Sequence, residues 1–395
     1  MPISLDYSAI SCYLVSMERY LKSQILRDLA KKMVLLTGPR QVGKTYLAKG
    51  IMAEFRKSQY LNFDVLDDRS VIKARTWPLD SDLLVFDEIH KMKGWKAYLK
   101  GVFDGRSPGQ SILVTGSARL ETFRQSGESL AGRYFHLRLH PLSVKEAAPG
   151  ISGSLSAPDA LDRLLRLGGF PEPFLGDSEE QAARWRAQYA TDLVREDVSD
   201  LARIHEIRAM STLLNLLRTK IGSPLSYSSL ARDLQIAPNT VKKYVSILEG
   251  LYIIFLVRPY HRRLARAILK EPKAYFYDTG FVAGDAGARF ENACAAALLK
   301  HVHFLHDTKG RDIDLCYART KEGREVDFAV VQDGRPTWLI EVKHSNAAPD
   351  ASLAFFRAAF KPERTIQLVR NLRRETQQDG VEVVRAAEWL AGLEA

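Results

Sequence analysis

Residues 38–45 read GPRQVGKT, two glycines separated by four residues and followed by Lys44 and Thr45. The apolar run MVLLT (33–37) precedes them and the amphipathic TYLAKGIMAEF follows, so a strand must deliver a glycine-rich turn to a helix N-terminus. Few folds satisfy that demand. The glycines let backbone N–H groups approach phosphate oxygens, and the helix end adds a favourable field. The pattern therefore predicts an ATP cradle of Gly38, Pro39, Arg40, Gln41, Val42, Gly43, Lys44, Thr45 and Tyr46. Lys44 is expected to reach the β- and γ-phosphates, and Thr45 to hold Mg²⁺.

LLVFDEIH (83–90) supports the same chemistry, because four apolar residues end in Asp87 and Glu88. A lone acidic pair after a strand is usually a solvated strand end. Beside a P-loop strand, Asp87 can engage Mg²⁺ and Glu88 can polarise the attacking water. ILVTGSARL ends another strand with Thr115 and Ser117, where a hydroxyl could sense the γ-phosphate; Ser117 could equally cap a helix. Arg133, in SLAGRYFHLRL, could stabilise transferred charge in its own chain or in a neighbouring copy of a homo-oligomer. Its structural alternative is a pair with a carboxylate.

A chain of 395 residues calls for two or three domains. Strands MVLLT (33–37), YLNF (60–63), LLVFD (83–87), ILVTG (112–116) and FHLRL (135–139) alternate with helical stretches, as in a parallel sheet covered on both faces. PGISGSLSAP (149–158) reads as a boundary. The expected division is a loose extension at 1–16, an α/β ATPase domain at 17–150, a helical lid or linker at 151–222, a winged helix-turn-helix at 223–285 and a last α/β domain at 286–395. Cys12, Cys294 and Cys316 are too few and scattered for a disulfide framework or zinc site, which fits a reducing, cytoplasmic setting. No apolar run approaches a membrane span, and the opening residues lack the basic n-region of a secretory signal. The net charge of +10 favours an anionic partner, nucleic acid before a membrane surface.

SPLSYSSLARDLQIAPNTVKKYVSILEGLYIIFLVRPY has winged-helix spacing. On its second helix Val241, Tyr244, Val245 and Leu248 form the buried face, which leaves Asn239, Lys242, Lys243 and Ser246 outward for DNA phosphates or base edges. YIIFLVRPY and KAYFYD read as wing strands. A packing domain without DNA contact is the alternative.

The last domain reads as a helix around RFENACAAALLKH, strands IDLCYAR, EVDFAVV and TWLIEVKH, a helix ASLAFFRAAF and a strand TIQLVRN. That order, αβββαβ, resembles the PD-(D/E)XK nuclease core. Such chemistry needs carboxylates on adjacent strands to hold Mg²⁺ or Mn²⁺, and a lysine near the attacking water. Glu341 and Lys343, two apart on a strand, share a face. A hairpin centred on Gly334 sets Asp327 opposite Glu341, whereas a two-residue Asp333-Gly334 turn sets it opposite Ile340 and spoils the site. Read alone, the E-x-K run is an ordinary cross-strand charge pair.

The strand order, the DE pair and the GSARL strand end resemble AAA+ and related additional-strand P-loop ATPases. GPRQVGKT, FDEIHKMKGW, VTGSARL, LAGRYFHLRLHPLS and GGFPEP look more narrowly like a large prokaryotic family of mostly uncharacterised ATPases. In that family a winged helix and a restriction-endonuclease-type domain follow the ATPase. The resemblance implies a P-loop strand flanked by the Asp87 and Ser117 strands, and it places the family's metal pattern on Glu291, Asp327, Glu341 and Lys343. The expected function is an ATPase coupled to DNA binding and metal-dependent cleavage. The alternative is a regulatory ATPase switch whose last domain binds nucleic acid or protein without cutting.

Overall fold

Met33, Val34, Leu35 and Leu36 are buried in succession, a pattern that only a strand covered on both faces accommodates. They belong to a computed structural model that describes residues 18–116, 130–148, 155–176, 178–193, 204–261, 271–345 and 348–395. The chain forms two compact units, one ending at Pro141 and the other running from Leu142 to Ala395.

The first unit runs α1 (Lys22–Leu29), β1 (Met33–Thr37), α2 (Lys44–Met52), β2 (Ser58–Asn62), α3 (Leu66–Ala74), β3 (Leu83–Asp87), α4 (Trp95–Asp104), β4 (Ser111–Thr115) and β5 (Tyr134–Arg138). The sheet is parallel throughout, in the order β2-β3-β4-β1-β5. This corrects the expected flanking: β1 lies between β4 and β5, and the Asp87 strand is one place further out. The residues of β1, β3 and β4 are all buried, while β2 and β5 bury one residue each, as edges do. Parallel strands bring the turn after β1, Asp87 and Thr115 to one carboxyl edge, where open α/β sheets take their ligands.

The second unit begins with helices α5 (Val144–Ala147), α6 (Ala157–Leu167), α7 (Pro171–Leu175), α8 (Glu179–Asp192) and α9 (Ile204–Arg218). Then come α10 (Tyr227–Leu234) and α11 (Pro238–Gly250), with Gln235 in a left-handed conformation ending the first and Pro238 in the first turn of the second. The rest is β6 (Ile254–Pro259), β7 (Lys273–Phe276), α12 (Ala286–Lys309), β8 (Ile313–Arg319), β9 (Glu325–Gln332), β10 (Arg335–Ser345), α13 (Ala351–Phe360), β11 (Arg364–Asn371), β12 (Thr376–Gln378), β13 (Val381–Arg385) and α14 (Ala386–Ala391). The expected order αβββαβ is present as α12-β8-β9-β10-α13-β11. The strands read as a wing do more than pair with each other. β6 also pairs parallel with β8, at Arg258–Cys316 and Pro259–Tyr317, giving one eight-stranded sheet in the order β12-β13-β11-β10-β9-β8-β6-β7. The sheet therefore crosses the boundary expected at 285–286. Among the described residues no helix is long and apolar enough to cross a membrane.

Candidate functional site

The P-loop turn is built by backbone that only particular residues tolerate. Gly38 has φ 147°, and a Cβ there would sit 2.3 Å from the Leu139 carbonyl oxygen. Gly43 caps α2 at φ 96°. The sequence thus places glycine where any side chain would block the turn. Arg19, itself buried, donates from Nη1 to the Val42 carbonyl (2.7 Å) and from Nη2 to the His140 carbonyl (2.5 Å), tying the turn to the chain beyond β5.

Lys44 is buried, and its Nζ donates to the Gly38 and Pro39 carbonyls at 3.0 and 2.6 Å. Burial lowers its pKa to about 8, against the opposing pull of Glu88 and Asp87. A buried ammonium held only partly by carbonyl dipoles is matched to an incoming anion. The Thr45 hydroxyl donates to Asp87 Oδ2 at 2.9 Å, so the two expected magnesium-holding groups are already in contact. Tyr60 donates to the same oxygen (2.7 Å) and Thr115 to Oδ1 (2.6 Å). Glu88 follows in a left-handed conformation at φ 56°, its N–H donating to Thr115 O at 3.0 Å. Burial raises the Glu88 carboxyl pKa, with Lys91 opposing.

Ser117 lies outside the described residues. Arg133 precedes β5, whose Tyr134 stands beside Met33 at the start of β1. It is therefore at the amino edge of the sheet, a full five-residue strand, roughly 16 Å, from the phosphate edge. There its guanidinium forks onto Asp104, at 2.8 and 3.0 Å. That is the carboxylate pair named as its structural alternative.

In the second unit the hairpin resolves an open register. Asp333 and Gly334 have φ 51° and 73°, and Gln332 faces Arg335, so the turn is the two-residue kind. A bulge between Pro336 and Trp338 then adds one residue to β10, and the pairing proceeds through Ile340–Phe328. The next step places Glu341 across from Asp327. Their contacts agree: Asp327 N–H donates to Glu341 Oε2 (3.3 Å), and Val342 N–H donates to Asp327 Oδ2 (2.9 Å).

Three carboxylates of this region stand around a lysine. Lys273, on β7 and buried, puts Nζ 2.5 Å from Glu325 Oε1, 3.8 Å from Glu291 Oε1 and 3.9 Å from Asp327 Oδ1. Burial works against this ammonium, but Glu291, Asp327 and Glu325 outweigh it and raise its pKa. Tyr275 donates to Glu291 Oε1 at 2.7 Å, and bare Gly222 lies so close that a Cβ would meet Glu291 Oε2 at 2.6 Å. Arg319 takes the other Glu325 oxygen (2.9 Å). Lys343 bridges Glu341 (2.7 Å) and Asp350 (3.0 Å). Burial, reinforced by Glu341 and Glu291, pushes the Asp327 carboxyl well above the usual carboxylate range; burial also raises Glu341, against Lys343. Among the described residues no three His, Cys, Asp or Glu side chains converge to hold a metal. The expected ligands Glu291, Asp327 and Glu341 thus stand beside lysines, Glu291 and Asp327 near Lys273 and Glu341 on Lys343. Lys273, Tyr275, Glu325 and Asp350 were missed in the sequence. A lysine opening an otherwise apolar strand, KAYF, was the available signal.

On α11, Val241, Tyr244, Val245 and Leu248 are buried, while Asn239, Lys242 and Lys243 are exposed. Lys242 Nζ lies 5.5 Å from the Tyr227 ring centre.

Comparison with known proteins matches residues 30–148 to the AAA domain family, 158–289 to a domain of unknown function (DUF8612) and 286–389 to another (DUF4143). An uncharacterized protein of Mycobacterium tuberculosis is 27% identical over 359 residues, covering 87% of this chain and 77% of its own length. One from Haemophilus influenzae is 21% identical over 411 residues, covering 95% and 98%. Among solved structures, the Walker-type ATPase of Pyrococcus abyssi superposes at TM-score 0.42 with 14% identity, covering 71% of this chain and 95% of that one. The AAA match at residues 30–148 takes in the P-loop turn and all five strands of the first sheet.

Proposed function

We propose that the chain is a magnesium-dependent ATP hydrolase whose second unit binds nucleic acid. The carrying observation is the 2.9 Å contact between Thr45 and Asp87, which joins the P-loop to the acidic strand end beside a buried lysine. Thr45 and Asp87 fit a magnesium ion, which when bound would neutralise charge on the β- and γ-phosphate oxygens. The chain's own groups do the rest. Backbone N–H groups of Gly38 and residues 40–45, with the start of α2, cradle phosphates, and Lys44 supplies positive charge to the transferred group. Glu88, with its raised pKa, orients and polarises the attacking water.

The test is steady-state ATP turnover. Lys44→Ala is expected to lower it about 10²- to 10³-fold, the usual cost of one electrostatic contact to the transition state. Glu88→Gln is expected to keep ATP binding and lose turnover comparably. Near-normal turnover in either variant would overturn the assignment.

Nucleic-acid binding is supported by the exposed Asn239, Lys242 and Lys243 on one helix and by the net charge of +10. A working arginine from a neighbouring copy remains a role open to Arg133 in an oligomer. Of cleavage and binding without cleavage, the lysine-filled carboxylate cluster favours the second.

A further inference from the structure

The αβββαβ region carries the acidic residues of a metal site, yet each already has a resident partner. Lys273 Nζ lies within 4 Å of carboxylates from two elements: Glu291 of α12, and Glu325 and Asp327, two apart on one face of β9. In sheet order β6 and β8 separate β7 from β9, so the lysine ties together strands that are not neighbours. Its side chain is buried, 1% exposed, and cannot leave without moving the strand or vacating a packed position. Glu291 is held independently by the Tyr275 hydroxyl and by close approach to the Gly222 backbone, and neither would loosen to let it re-aim. Glu341, the remaining acid, is engaged by Lys343, which Asp350 holds from the start of α13.

We propose that Lys273 is a built-in counter-ion occupying the place of a divalent metal, so that this domain is a metal-independent binding module. A divalent ion gains affinity chiefly from carboxylates that would otherwise repel one another unpaired. Here the ammonium pairs directly with Glu325 and stands within 4 Å of Glu291 and Asp327, and entry of the ion would strand a buried lysine charge. The same arrangement explains why the acidic pattern is complete without making a cutting site: the acids anchor β7 to α12 and β9. The inference deepens the non-cutting reading of the second unit, and its test reads metal occupancy, not DNA binding or cleavage.

Nucleotide-free full-length protein would be titrated with Mn²⁺, with bound ion read by electron paramagnetic resonance. Wild type and Asp327→Asn are expected to give the same isotherm. Lys273→Met is expected to gain a Mn²⁺ site at least tenfold tighter than any in wild type, and Lys273→Met with Asp327→Asn to lose it again. A wild-type Mn²⁺ site abolished by Asp327→Asn would overturn the proposal. So would a folded Lys273→Met protein that gains no site. Should Lys273→Met fail to fold, the wild-type and Asp327→Asn comparison decides alone. If DNA mobility shifts were absent while these outcomes held, only the nucleic-acid reading would fall.

Discussion

Each unit buries a lysine beside acidic residues, and the two lysines are in opposite electrostatic states. Lys44 hydrogen-bonds to two backbone carbonyls, and burial drops its pKa to about 8. Lys273 is ringed by three carboxylates, and their pull raises its pKa despite the burial. The first is a cation short of negative charge, in a turn shaped for phosphates. The second already has carboxyl groups around it. A buried lysine therefore marks a ligand site only when its neighbours leave its charge uncompensated, which motif spacing alone cannot say.

The largest way to break that contrast is to remove the saturated lysine. Lys273→Met leaves Glu291, Glu325 and Asp327 without their shared partner, and breaking a buried pair from one side costs about 3–5 kcal/mol. Urea unfolding followed by circular dichroism should show that loss, with part of it restored by Mn²⁺. A cost below about 1 kcal/mol would mean that the acids were never held by this lysine.

A smaller effect should appear at Lys44, with pH as the variable. Its pKa is lowered from 10.5 to about 8 on folding. Between those values the unfolded chain keeps the proton and the folded chain does not, so stability rises with pH. Below about pH 8 both states are charged and the full penalty of the buried ammonium remains. The expected gain across the window is up to about 3 kcal/mol, absent in Lys44→Met and reduced by Mg²⁺-ATP, whose phosphates would keep the lysine charged. Identical pH slopes for wild type and Lys44→Met would show that Lys44 titrates normally, and the contrast would disappear.

The two sites were also unequally legible. The P-loop is local: a buried strand, two obligatory glycines and a helix start lie within a few residues, so pattern and structure coincide. The order of strands around it was not, because placing β4 between β1 and β3 depends on packing between segments far apart in sequence. At the second site the acids and their facing strands could be read, since Asp327, Glu341 and Lys343 follow the two-residue period. Lys273 could not, because it reaches the cluster from a strand three places away in sheet order from β9. The buried face of α11 was visible from Val241, Tyr244, Val245 and Leu248, but the pairing of β6 with β8, which joins β6 and β7 to the larger sheet, left no periodic trace.

The smallest expected effect concerns how the second site is assembled. A two-residue turn at Asp333-Gly334 would by itself set Asp327 against Ile340, and the extra residue after Pro336 restores the pairing with Glu341. Thr337 sits at that bulge, where its hydroxyl donates to the Val330 carbonyl at 3.1 Å. Thr337→Val keeps the branched shape and removes this one bond, so it should cost about 1 kcal/mol. Because the bulge is set by backbone pairing on both sides, the register should survive, and amide exchange at Val342, whose N–H is held by Asp327, should remain protected. Loss of that protection would show that the hydroxyl, not the strand pairing, fixes the register, and that the acids around Lys273 depend on a single side chain for their alignment.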